Sequence, residues 1–155
     1  YNSSCWSFPG FSEFRKANYD RNYYNKERGV KLFPEAPTFL KKIGKRHILT
    51  IASSGHKNNI ENLLTKNGVL DIFELIIANT ATTKAGMINE IMGKFQTKPS
   101  EVFMITDTVG DILVAKKLGL KTIAVTWGFH DKNLLLRSAP DYMADDFQDI
   151  LNKFS

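Results

Sequence analysis

Val102-Phe103-Met104-Ile105-Thr106-Asp107-Thr108-Val109-Gly110-Asp111-Ile112 is the stretch on which the reading of this chain turns. Its first five residues are apolar or β-branched, the composition of a buried strand. Asp107 follows that strand directly, and Asp111 opens a helix expected over 112–118 and closed by Gly119. Working outward, the same alternation recurs on both sides. Upstream, apolar strands are expected over 47–52 and 73–78, with Ile60, Leu63 and Leu64 at helical spacing between them. A helix over 84–95 carries Met87, Ile88, Ile91 and Met92 on one side, and an earlier one starts at Pro34 and stops at Gly44. Downstream come a strand over 122–126, a short helix over 131–137, a strand stub over 142–144 and a last helix over 147–154. Strands alternating with helices imply parallel pairing through right-handed crossovers. Short strands that are apolar throughout need cover on both faces. The expected fold is an open parallel α/β sheet with flanking helices.

The totals agree with one ordinary domain. The chain has 155 residues, 43% hydrophobic and 24% charged, enough for a proper core and typical of a globular protein. Its apolar runs are too short to cross a bilayer, and the residues after Tyr1 do not read as a signal peptide. A single cysteine, Cys5, leaves no internal disulfide and suits a reducing compartment, so the cytoplasm is expected. Lys and Arg (21) outnumber Asp and Glu (16), which favours anionic partners. The excess is scattered, as in Lys41-Lys42 and Lys116-Lys117, so a phosphorylated metabolite is the expected partner rather than nucleic acid or a membrane. Residues 1–31 differ in texture, being aromatic and basic, with a helix expected from about 13 to 28.

Ligands of open parallel sheets lie beyond the carboxyl ends of the strands. The residues there are Ser53-Ser54-Gly55, Asn79-Thr80, Asp107 to Asp111, and Trp127-Gly128-Phe129. Asp107 and Asp111 offer two hard oxygen ligands to one crevice, which suits magnesium: it takes one or two carboxylates and leaves positions for water and phosphate. The alternative is a structural pair, Asp107 capping the helix and Asp111 complementing its dipole. Ser53 and Ser54 precede a helix starting near Lys57, where hydroxyls and backbone N–H groups form an anion site, or a simple serine cap. Lys84 opens a helix, where a cation opposes the dipole; a phosphate or a carboxylate such as Asp107 or Asp111 would compensate it, unless it is merely exposed. His47 reads as structural within its strand. His56 and His130 lie on crevice loops without metal-ligand spacing, and no Walker or dinucleotide glycine loop occurs.

Taken in order, these motifs resemble the haloacid dehalogenase-like hydrolases, from about Leu32-Phe33-Pro34-Glu35 to the C-terminus. Ile48-Leu49-Thr50-Ile51-Ala52-Ser53-Ser54 is similar to the family's second motif, Lys84 to the third, and Ile105 to Ile112 to the fourth, with Thr106 where glycine is common. Residues 115–120 and Thr122-Ile123-Ala124-Val125-Thr126-Trp127-Gly128-Phe129 resemble the phosphoglycolate-phosphatase-like members. The resemblance implies a Rossmann-like core over 32–155, a remnant of a helical cap over 1–31, and a magnesium-dependent phosphatase working through an aspartyl-phosphate. It further implies that Ser53 and Lys84 act in catalysis, that Ser53, Ser54, Gly55 and Lys84 bind the phosphoryl group, and that Asp107 and Asp111 hold the metal.

One motif is missing from the sequence. The family's Asp-x-Asp-x-Thr, bearing the nucleophile and the general acid/base, does not occur; Asp20 lies in an expected helix and does not replace it. That motif's strand belongs in the middle of the sheet, and without it two parallel strands lose a neighbour; Cys5-Trp6-Ser7-Phe8 is the one local candidate to pair there. The expectation is a chain lacking its N-terminal part, with the nucleophile outside it. Two rivals stay open: a non-catalytic homologue that binds a phosphorylated ligand or a protein partner, and an unrelated open-sheet domain whose carboxylates only cap helices.

Overall fold

The computed structural model describes residues 31–79 and 81–154. The expectations for 1–30, including the cap remnant, Asp20 and the Cys5 segment, fall outside them. Leu32–Ser155 forms one compact unit.

The unit opens with helix α1 (Ala36–Ile43), whose last turn carries Lys41 and Lys42 against the negative end of the dipole. Gly44 stands at its C-cap, where a Cβ would lie 2.6 Å from Ile72 Cγ2. Strand β1 (Leu49–Ser53), helix α2 (Lys57–Lys66) and strand β2 (Phe73–Ala78) follow, the two strands pairing in parallel. His47 lies ahead of β1 rather than inside it, and packs on the Phe154 ring at 4.9 Å between centroids.

Helix α3 (Lys84–Phe95) starts at Thr83, whose hydroxyl accepts the Gly86 N–H. It buries Met87, Ile88 and Ile91 and ends at Gln96 in the left-handed region, φ 52°. Then come β3 (Phe103–Thr106), α4 (Val109–Lys117), β4 (Lys121–Val125), α5 (Lys132–Arg137), β5 (Tyr142–Ala144) and α6 (Phe147–Lys153). Helix α4 begins three residues before its expected start because Thr108 caps it, its hydroxyl accepting the Asp111 N–H. Gly119 closes the following turn at φ +78°.

Strands β3, β4 and β5 form a parallel sheet in that order. Alternation along β4 fills both of its faces. Ile123 and Val125 join Phe39 and Ile43 of α1 and Ile150 of α6 in one core cluster. On the other face Ala115 of α4, Ile88 of α3 and Leu120 make a second cluster with Met104. Helices therefore cover the sheet on both sides, as its apolar strands require. Among the described residues β1 pairs only with β2, and β3 only with β4. Between β1 and β3 lies a cleft of about 540 Å³, lined by Ile48 to Ala52, by Val102 to Ile105, and by Ile88, Ile91 and Met92 of α3. No helix among the described residues is long and apolar enough to cross a membrane.

Candidate phosphate and metal site

The C-terminal ends of β1 and β3 meet through one side chain. Lys84, at the first position of α3, donates to the carbonyl of Ala52 at 2.6 Å and lies 3.3 Å from Asp111 Oδ2. The ammonium thus ties the end of β1 to the first turn of α4. Its side chain is 18% exposed and that of Asp111 25%, so this pair is shielded more than a surface ion pair and less than a core one. The dipole penalty on a lysine at a helix start is offset by Asp111, one of the two carboxylates expected from the sequence.

The same oxygen of Asp111 has a second partner. The Thr106 hydroxyl, 7% exposed at the end of β3, donates to Asp111 Oδ2 at 3.3 Å and accepts the Thr108 N–H at 3.2 Å. The threonine standing in the usual glycine place thereby acts as a strut between β3 and α4. Asp107 sits one residue beyond β3 and does not cap α4, since Thr108 holds that position. Its Oδ2 instead accepts the Phe129 N–H at 2.8 Å. The capping alternative for Asp107 is set aside. Asp111 does lie in the first turn of α4, where its charge favours the dipole whatever else it binds.

Ser53 closes β1, and its hydroxyl accepts the Gly55 N–H at 3.0 Å, shaping the turn rather than capping α2. The residue at the α2 cap position is His56, which makes no side-chain capping bond. Ser53, Ser54 and Gly55 therefore lead into a helix start whose first N–H groups have no side-chain cap. The carbonyl of Ser53 also accepts the Asn79 N–H, joining the ends of β1 and β2.

Two carboxylates on one turn supply hard oxygen donors, and magnesium needs no more from a protein when phosphate and water complete its shell. The residues fit that ion: Asp107 and Asp111 would hold it, with Lys84 alongside to share the phosphoryl charge. No group of three or more His, Cys, Asp or Glu side chains gathers among the described residues, so a cage made wholly of such side chains is not what they build.

Sequence reasoning gave no role to the loop after β4. A Cβ on Gly128 would lie 2.1 Å from Asp107 Cβ, so glycine is required where this loop crosses the carboxylate. A glycine in the short loop that follows a buried strand was the available signal. At the end of β5, Asp145 accepts hydrogen bonds from Lys132 and Thr126, which hold its carboxyl below the ordinary range.

Comparison with known proteins identifies the family. The family described as haloacid dehalogenase-like hydrolase matches residues 9–125, beginning upstream of the Leu32 at which the motifs themselves begin. A phosphoglycolate phosphatase of Synechococcus elongatus is 30% identical over 124 residues, covering 79% of this chain and 58% of the relative. A pyrophosphatase of Oceanobacillus iheyensis is 27% identical over 137 residues, covering 85% and 64%. The chain thus spans about three-fifths of the length of these curated relatives. Among solved structures, a haloacid dehalogenase-like family hydrolase from Streptococcus pneumoniae superposes with a TM-score of 0.76 at 26% identity, over 99% of this chain and 74% of its own.

Proposed function

The chain belongs to the haloacid dehalogenase-like hydrolase family, and from that premise we propose that the full-length protein is a magnesium-dependent phosphatase of a small phosphomonoester. The observation that carries this reading is Lys84, which spans Ala52 at the end of β1 and Asp111 at the start of α4. One cation thereby joins the hydroxyl turn at Ser53 to the carboxylate turn, so phosphate-binding and metal-binding groups face one crevice.

Phosphoryl transfer asks a protein mainly for positioning and for neutralising charge on the transferring group. In this proposal Ser53 donates its hydroxyl to a phosphoryl oxygen, together with backbone N–H groups around Ser54 and Gly55. Lys84 neutralises a second oxygen, and Asp107 and Asp111 would hold magnesium. The ion, when bound, polarises the phosphoryl oxygens and offsets charge developing on them. The nucleophile is a carboxylate outside this chain. Its oxygen bonds to phosphorus as the bond from phosphorus to the substrate oxygen breaks, and the alcohol departs with a proton from the general acid of the same absent motif. Water then gives a proton back to that group as it attacks the aspartyl-phosphate, which releases inorganic phosphate and regenerates the carboxylate. The cleft between β1 and β3 supports a strand as the carrier of that carboxylate, since residues of both strands line it and, among the described residues, each strand is paired with one neighbour only.

The test is hydrolysis of an aryl phosphate by the full-length protein with and without magnesium. Asp107→Asn should abolish the magnesium-dependent rate; if the rate survives, the assignment of Asp107 is wrong. Phosphate binding with no turnover in the full-length protein would instead favour a non-catalytic homologue.

A further inference from the structure

The three residues after Trp127 have no chemical task in the proposed reaction, yet they grip the turn that carries its carboxylates. The Phe129 N–H donates to Asp107 Oδ2 at 2.8 Å, and the His130 N–H donates to the Asp107 carbonyl at 3.2 Å. In return the Val109 N–H donates to His130 Nδ1 at 3.0 Å. The His130 residue is 3% exposed, so these bonds are made away from bulk water.

Val109 is the first residue of α4, and its N–H has no acceptor within the helix. A cap residue's side chain reaches the N–H of the second or third helical residue, not of the first. Here the Thr108 hydroxyl takes the Asp111 N–H, while the Val109 N–H is taken by an imidazole arriving from beyond β4. A backbone N–H can only donate, so Nδ1 presents its lone pair and the ring proton sits on Nε2. The imidazole therefore fixes where α4 begins relative to the end of β4. Asp107 and Asp111 lie on either side of that point.

We propose that His130 is a positioning residue for the Asp107–Asp111 pair, setting the α4 start so that both carboxylates converge on one divalent cation. This rests on the metal reading above. Partners that orient metal ligands are worth about 10- to 100-fold in affinity when removed; the His130 imidazole acts on Asp107 and Asp111 through the Val109 N–H alone, since its bond to the Asp107 carbonyl is made by its backbone.

The experiment measures Mn²⁺ binding to the full-length protein by electron paramagnetic resonance, with Mg²⁺ as competitor. It is run where circular dichroism shows every variant folded. His130→Leu keeps bulk and loses the acceptor; it should weaken binding by about tenfold or more. His130→Asn keeps an oxygen close to the Nδ1 position and should stay near wild type. Ile150→Ala, 1% exposed in α6 and packed on the opposite core cluster, should lower the melting temperature and leave metal affinity unchanged. Equal affinity of His130→Leu and wild type would overturn the proposal, as would an equal loss in Ile150→Ala. If the wild-type protein binds no Mn²⁺, the metal reading itself fails and the positioning role falls with it.

Discussion

At Gly128 the backbone of one loop lies against the side chain of Asp107, closer than any Cβ could tolerate. An alanine there has to displace either the loop or the carboxylate. The Phe129 N–H that orients Asp107 moves with the loop. Displacements of about 1 Å near reacting groups cost on the order of 100-fold in rate. Gly128→Ala should therefore reduce turnover by about that factor while the fold persists, as read by steady-state hydrolysis beside circular dichroism. Activity equal to wild type would mean that the loop does not constrain Asp107. The sequence marked Gly128 as a strand-end residue, but what it abuts is a distance between two strand ends, and that is set in three dimensions.

Among the elements, β4 and β5 are joined by a staple as well as by their ladder. Asp141 Oδ2 accepts both the N–H and the hydroxyl of Thr122, and the Asp141 N–H donates back to the Thr122 hydroxyl. Thr122 is fully buried. Removing the acceptor with Asp141→Ala strands those buried donors, at a cost of about 1–3 kcal/mol, measurable by denaturant unfolding. The same bonds, the Thr122 side chain first and its backbone second, hold the Asp141 carboxyl below its ordinary value of 3.8. A carboxyl whose folded value is depressed stabilises the native state above the unfolded value, and this is lost as pH falls through the folded one. Acid destabilisation below about pH 4 should thus be shallower in Asp141→Asn than in wild type when melting temperatures are compared across pH. Identical slopes would show that Asp141 takes no part in it. Asp145 is shifted in the same direction, so the two variants should be compared singly.

At the scale of the whole fold, burial is uneven across the five strands of the described residues. Ile123, Ala124 and Val125 of β4 are buried between two core clusters, whereas Ile48 ahead of β1 is 61% exposed and Ile105 of β3 is 39% exposed. Amides of the best-buried strands open only with the whole fold. Hydrogen exchange should therefore be slowest over β4, with the cleft sides of β1 and β3 faster by several orders of magnitude where no strand lies between them. Uniform protection across β1, β3 and β4 would show that the chain closes the cleft by other means.

Periodicity alone determined a good deal about this protein. The bounds of β2, α3 and β5 follow directly from apolar runs and helical spacing, because burial writes those patterns into short segments. Parallel α/β architecture followed from their alternation, and the order Ser53, Lys84, Asp107, Asp111 followed from which residues stand at strand ends. What sequence could not decide was which of those residues touch. That Lys84 chooses Asp111 and the Ala52 carbonyl, that Thr108 rather than Asp107 caps α4, and that His130 reaches across to Val109 all depend on contacts between segments 20 or more residues apart or on competition for one helix end. Local pattern carries no record of such contacts, because the distance between two strand ends exists only after the sheet has formed.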